Sequence, residues 1–135
     1  MKSNKTSFQL VVLIGLSVIC SAQPSLTGRW QGFHNGLPWV MVNVSQEHGK
    51  TGGTVTFFVL RRDSEGTPAT GVAGKVELAL KDAHWNNNVL RFEVIRPSDH
   101  QTLSFQMSLQ KNGAALLQPT GLDGNPQSIE LTRQK

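Results

Sequence analysis

The chain has 135 residues, one cysteine and a formal charge of +4. That length supports one small hydrophobic core and not two, and one cysteine excludes an internal disulfide framework or a thiolate metal cluster. Two of the basic residues, Lys2 and Lys5, fall in a segment expected to be removed, so the balance is too slight to mark a nucleic-acid partner.

Residues 1–22 read as an export signal. Lys2 and Lys5 give a positive start, Leu10 to Ile19 is an apolar run too short for a membrane span, and Cys20-Ser21-Ala22 puts small residues where signal peptidase cuts. Cleavage before Gln23 is expected. It leaves residues 23–135 as one domain, secreted or periplasmic, with no cysteine and no transmembrane span. Retention of Cys20 as an acylated lipoprotein residue is the weaker alternative, because the bulky Ile19 precedes it.

From there the chain alternates apolar and polar residues. Leu103-Ser104-Phe105-Gln106-Met107-Ser108-Leu109-Gln110 is the cleanest case of a strand with one dry and one wet face. Eight strands are predicted, near Arg29–His34, Trp39–Gln46, Gly53–Leu60, Val72–Lys81, Val89–Ile95, Thr102–Gln110, Ala114–Gln118 and Gln127–Arg133. Between them lie turn signals: Asn35-Gly36, His48 to Thr51, Asn86 to Asn88, Asn112-Gly113 and Gly121 to Pro126. Arg61 to Gly71 reads as a longer polar loop. A His48–Thr51 turn pairs Val44 with Val55 and Val42 with Phe57. An Asn112-Gly113 turn pairs Leu109 with Leu116. Eight locally connected antiparallel strands with one apolar face predict an all-β, up-and-down barrel, with a two-sheet sandwich as the alternative.

Leu26-Thr27-Gly28-Arg29-Trp30-Gln31-Gly32 opens the domain and Ile129-Glu130-Leu131-Thr132-Arg133 closes it. This resembles the lipocalin-like (calycin) barrels, in particular the small domains of exported bacterial proteins. The resemblance implies an eight-stranded barrel in which the Gly-x-Trp of the first strand packs beneath an arginine of the last. Arg133 shares the parity of Ile129 and Leu131, so it is expected inward, beside Trp30. The chain is shorter than typical secreted lipocalins and lacks their disulfide and C-terminal helix.

Catalytic and metal motifs are missing or fail. Gly49-Lys50-Thr51 imitates a phosphate loop, but Val44 stands where its first glycine belongs and the segment turns between strands. His34, His48, His84 and His100 lack ligand spacing. There is no Gly-x-Ser-x-Gly elbow, and Glu77, Glu93 and Glu130 take the wet parity of their strands. No enzyme, metal or cofactor is expected.

The expected function is binding. An eight-stranded interior holds side chains or one small ligand, and the candidate ligand-binding residues are Trp30, His34, Val42, Phe57, Phe92, Phe105, Met107 and Arg133. That set implies a small hydrophobic ligand. The alternative is a filled-core interaction module. In the predicted register Trp39 faces Leu60 and Met41 faces Phe58 on the outside, an apolar patch suited to a protein partner or self-association.

Overall fold

The computed structural model describes residues 25–121 and 127–135. The expected signal and most of the Gly121–Pro126 turn lie outside them. Nine strands follow in chain order: β1 Gly28–His34, β2 Leu37–Glu47, β3 Lys50–Arg61, β4 Gly71–Ala79, β5 Lys81–Asn86, β6 Val89–Ile95, β7 Thr102–Leu109, β8 Ala115–Thr120 and β9 Ile129–Gln134. All pairings are antiparallel, in one sheet ordered β4-β3-β2-β1-β9-β8-β7-β6-β5. The described residues contain no helix.

The sheet curls around its apolar face. Trp30, Val40, Val42, Val55, Leu90, Phe92, Val94, Met107, Leu117 and Leu131 are buried there together. The curl brings β3 to β7 across the concave side, with the Phe57 and Phe105 ring centroids 5.8 Å apart. Phe105 in turn stacks on Phe92 at 5.6 Å. The alternation in sequence is thus the cause of the curl: each strand has one face that is stable only when covered.

Among the described residues there are nine strands in place of eight, because the expected strand Val72–Lys81 divides at Leu80. The Leu80 N–H still bonds to Gly53 O on the β3 side, at 3.0 Å. From Lys81 onward the chain pairs with β6 instead, Lys81 opposite Glu93. Asp82, at a φ of 49°, lies within a register shift between Lys81 and His84. A bulge of this kind bends and twists a strand, and here it swings the chain from one end of the sheet to the other. β4 and β5 are consecutive in the chain yet are the two ends of the sheet. No ladder joins β4 to β6, so a seam runs between them.

Two hairpin registers also differ from expectation. The β2–β3 turn is His48-Gly49 alone, both at positive φ, with Glu47 opposite Lys50. Such a turn matches the strand twist, and it slides the pairing by two residues: Val42 faces Val55 and Val40 faces Phe57. A slip of two keeps every side chain on its face. The β7–β8 slip is one residue, which does not. Gly113 N–H bonds to Gln110 O and Gln110 N–H to Ala114 O, with Gly113 at a φ of 86°. This is a three-residue loop ending in a left-handed glycine. Leu109 therefore faces Ala115 and Met107 faces Leu117. Leu117 is buried in the core and Leu116, expected there, is not.

The end of the sheet where β1 begins is shut. Trp30 is fully buried, and its indole N–H donates to Leu26 O at 2.9 Å. Arg133, directly opposite Trp30 on β9, holds its guanidinium 4.4 Å from the ring centroid. It also donates to Thr27 O at 2.6 Å and to Ser25 O. Gly28 has a φ of 133°, and a Cβ there would lie 3.2 Å from Arg133 Nη1. The glycine thus admits both the backbone conformation and the arginine that crosses it.

Candidate functional site

The seam beside β4 opens into a cleft of about 420 Å³. One wall is the concave face of β3 and β4, where Phe57 pairs with Val76 and Val55 with Leu78. The opposite wall is Leu103 and Phe105 of β7, and the lip is Arg96, Pro97 and Ser98 in the β6–β7 loop. Further along the first wall Val59 faces Gly74. Val59 is 52% exposed and Val76 38%. These are among the most exposed large apolar side chains of the described residues, and both sit on the inner face.

The lip is rigidly bonded. Arg96 N–H donates to Gln101 O at 2.9 Å and His100 N–H to Arg96 O at 2.8 Å, which closes the loop on itself. The Arg96 guanidinium grips Asp99 with two bonds, Nε to Oδ1 at 2.9 Å and Nη2 to Oδ2. Nη2 also donates to Gln101 Oε1 at 2.9 Å. Asp99 Oδ1 accepts the Gln101 N–H as well, at 3.2 Å. The hydrogen bond from Arg96 holds the Asp99 carboxyl down at about 2, below its ordinary 3.8. The same bond raises Arg96 further.

The expected ligand-binding residues separate into four places. Trp30, Val42, Phe92 and Met107 are buried and fill the core, so they are packing groups. Phe57 and Phe105 face the cleft. Arg133 belongs to the shut end, and His34 lies at the β1–β2 hairpin, its ring 5.1 Å from Trp39. That contact follows from a register shift after Gly32, where Phe33 pairs with Pro38 and His34 with Leu37, leaving Trp39 as the extra residue.

The expected outer patch does not assemble in its predicted pairing. With the two-residue slip Met41 faces Thr56, Phe58 faces Lys75 and Leu60 faces Val72. Trp39, Met41, Phe58 and Leu60 are each half-buried. Thr56, on this outer face, is only 1% exposed and its Oγ1 has no partner. The neighbouring side chains thus already cover the middle of the patch.

Sequence reading missed the lip and part of both walls of the cleft. Val76 and Leu103 are indistinguishable by parity from core residues. The i,i+3 spacing of Arg96 and Asp99 around Pro97 was the available signal. On the other side of Leu80 the seam has a second opening, about 500 Å³, lined by both polar and apolar groups including Lys50, Asp82, His84 and Trp85. Among the described residues no group of His, Cys, Asp and Glu side chains is placed to hold a metal, and no helix is long and apolar enough to cross a membrane. The chain matches no family model, no curated protein and no solved structure.

Proposed function

We propose that this chain is an exported binding protein that takes a small apolar molecule into the cleft beside β4, with no catalytic step of its own. The observation that carries the reading is the position of the exposed apolar surface. Val76 lines the cleft while 38% exposed, and Val59, 52% exposed, lies further along the same concave wall. The cleft's volume falls within the range of small-molecule sites, roughly 300–1,000 Å³, and its apolar walls with few polar groups match their composition. At roughly 25 cal/mol per Å² of apolar area covered, a ligand of this size gains several kcal/mol before the costs of association.

The reading differs from a ligand cup centred on Trp30. It places the ligand to one side, against Phe57, Leu78 and Phe105. The interaction-module alternative has less support, because its four outer residues are half-buried over an already covered Thr56.

The neutral fluorophore N-phenyl-1-naphthylamine tests it. Emission should rise on addition of the protein and saturate at one probe per chain. Val76→Lys places an ammonium on the wall at a position that is already part-exposed, so folding tolerates it. It should weaken the probe about tenfold or more, because its charge is desolvated beside an apolar ligand. A folded protein that never enhances the probe, or a Val76→Lys variant that binds it equally well, overturns the proposal.

A further inference from the structure

We infer that the cleft selects an uncharged ligand, a planar aromatic molecule, over a fatty acid or any other anion. The inference rests on the cleft being a ligand site and concerns which chemistry it takes.

The lip decides the charge. Among the described residues Arg96 is the one charged side chain that lines the cleft, and alone it would attract a carboxylate. It is not alone. Asp99 engages it through two parallel bonds, the geometry in which guanidinium and carboxylate fit best. An incoming carboxylate has two courses. It displaces Asp99, exchanging one carboxylate for another and leaving Asp99 unpaired. Otherwise it sits beside Asp99 and is repelled. Neither course offers the anion an unpaired cation, while its apolar part must still enter an apolar cleft that leaves the charge no polar partner. A neutral molecule faces no such conflict, since the surface it meets in the cleft is apolar.

The floor decides the shape. Phe57, Phe105 and Phe92 form a continuous run of rings, at centroid separations of 5.8 and 5.6 Å. Phe92 is buried behind the run, while Phe57 and Phe105 reach the cleft. Flat π-systems lie against such a surface in offset contact, which adds to what area burial alone supplies. A saturated chain gains only the area.

Two probes with one aromatic skeleton separate charge from shape: N-phenyl-1-naphthylamine and its sulfonated form, 8-anilino-1-naphthalenesulfonate. Dissociation constants are measured for both on the same protein. The neutral probe should bind several-fold more tightly. Asp99→Asn keeps an oxygen to accept from Arg96 and Gln101 while removing the charge, so the ratio of the two constants should move toward the sulfonate by several-fold. Arg96→Gln, which leaves Asp99 uncompensated, should move it the other way. If the wild-type protein binds the sulfonate as tightly as the neutral probe, or if Asp99→Asn leaves the ratio where it was, the inference falls while the cleft stands. If neither probe binds, the cleft reading falls and takes the inference with it.

Discussion

The Trp30 end and the β4 seam are made from the same curled sheet, and they solve the same problem differently. Both are places where the apolar face meets solvent. At the first, β9 returns beside β1, and Arg133 lies over the Trp30 ring while binding the carbonyls of the preceding segment. The Trp30 ring itself is wholly covered. At the second, the chain leaves β3 for β6 at Leu80, and among the described residues no strand lies along the other edge of β4. Val59 and Val76 stay exposed on the concave wall. A sheet need not be closed throughout to be stable. Pinning one end leaves the opposite seam free to accept something else, and residues divide accordingly into those that hold the fold and those that face the cleft.

Trp30→Ala against Phe105→Ala is the strongest way to break that division. Trp30 is fully buried and bonded, whereas Phe105 is half-buried at the cleft. Removing the indole should cost about 3–5 kcal/mol, the usual range for a buried aromatic. That is a large share of the stability of a domain this size. Phe105→Ala should cost about 2 kcal/mol or less, since its ring is only partly removed from water. Urea denaturation with matched slopes measures both. Equal losses would mean that Phe105 is as much a core residue as Trp30 and that the cleft is part of the packing.

A smaller effect is expected within the shut end itself. Arg133→Ala removes the cation over the indole, about 0.5–1 kcal/mol at an exposed site, together with two hydrogen bonds to backbone carbonyls. The sum should be about 1–2 kcal/mol, with the melting temperature lowered by several degrees. Arg61→Ala is the control: Arg61 is exposed at the end of β3 and contributes only its backbone to the loop that follows. It should stay within about 0.5 kcal/mol of wild type. Equal, near-zero shifts for the two arginines would show that the end is shut by packing alone, without the guanidinium.

Which parts of this were legible in the sequence follows from how far each depends on local rules. Alternation such as Leu103 to Leu109 named the apolar faces, because strand parity is local. The neighbouring of Trp30 and Arg133 could be expected from the antiparallel order of first and last strands. The β2–β3 register was misjudged by two residues without consequence for the faces. The β7–β8 register was misjudged by one, and Leu117 took the place expected for Leu116. In both, the letters of the turn were right and its length was not. Leu80 and Asp82 are where local reading fails outright. Nothing in Ala79-Leu80-Lys81 states that the chain changes partners there. A left-handed Asp82 becomes necessary only once both β3 and β6 are in place. The cleft exists because of that exchange, so its wall residues could be assigned to a face but not to an opening. The lip had its own local signature, an arginine and an aspartate three residues apart around a proline, which says that the loop is bonded and not what it borders.

Acid gives the smallest effect and the most selective one. Asp99 has a carboxyl held at about 2 in the folded protein, against an ordinary value of 3.8. A depressed carboxyl binds its proton less readily when folded, so the stabilisation it supplies is present above about 3.8. It is lost as the pH falls toward 2, where the folded group also takes up a proton. Asp99 and Arg96 are both solvent-exposed, so the loss should be local and barely visible in global stability. Amide exchange is the appropriate measure. The Gln101 N–H, which Asp99 accepts, should lose protection between pH 4 and 2 along with the His100 N–H that closes the loop. The Trp30 indole N–H should not, because it and Arg133 are held by backbone carbonyls that do not titrate. The lip of the cleft would then loosen in acid while the opposite end stays shut. A carboxyl that titrates at its ordinary value in a carbon-13 NMR experiment, or equal loss of protection at both ends, would mean that the Arg96–Asp99 pair does not order the lip.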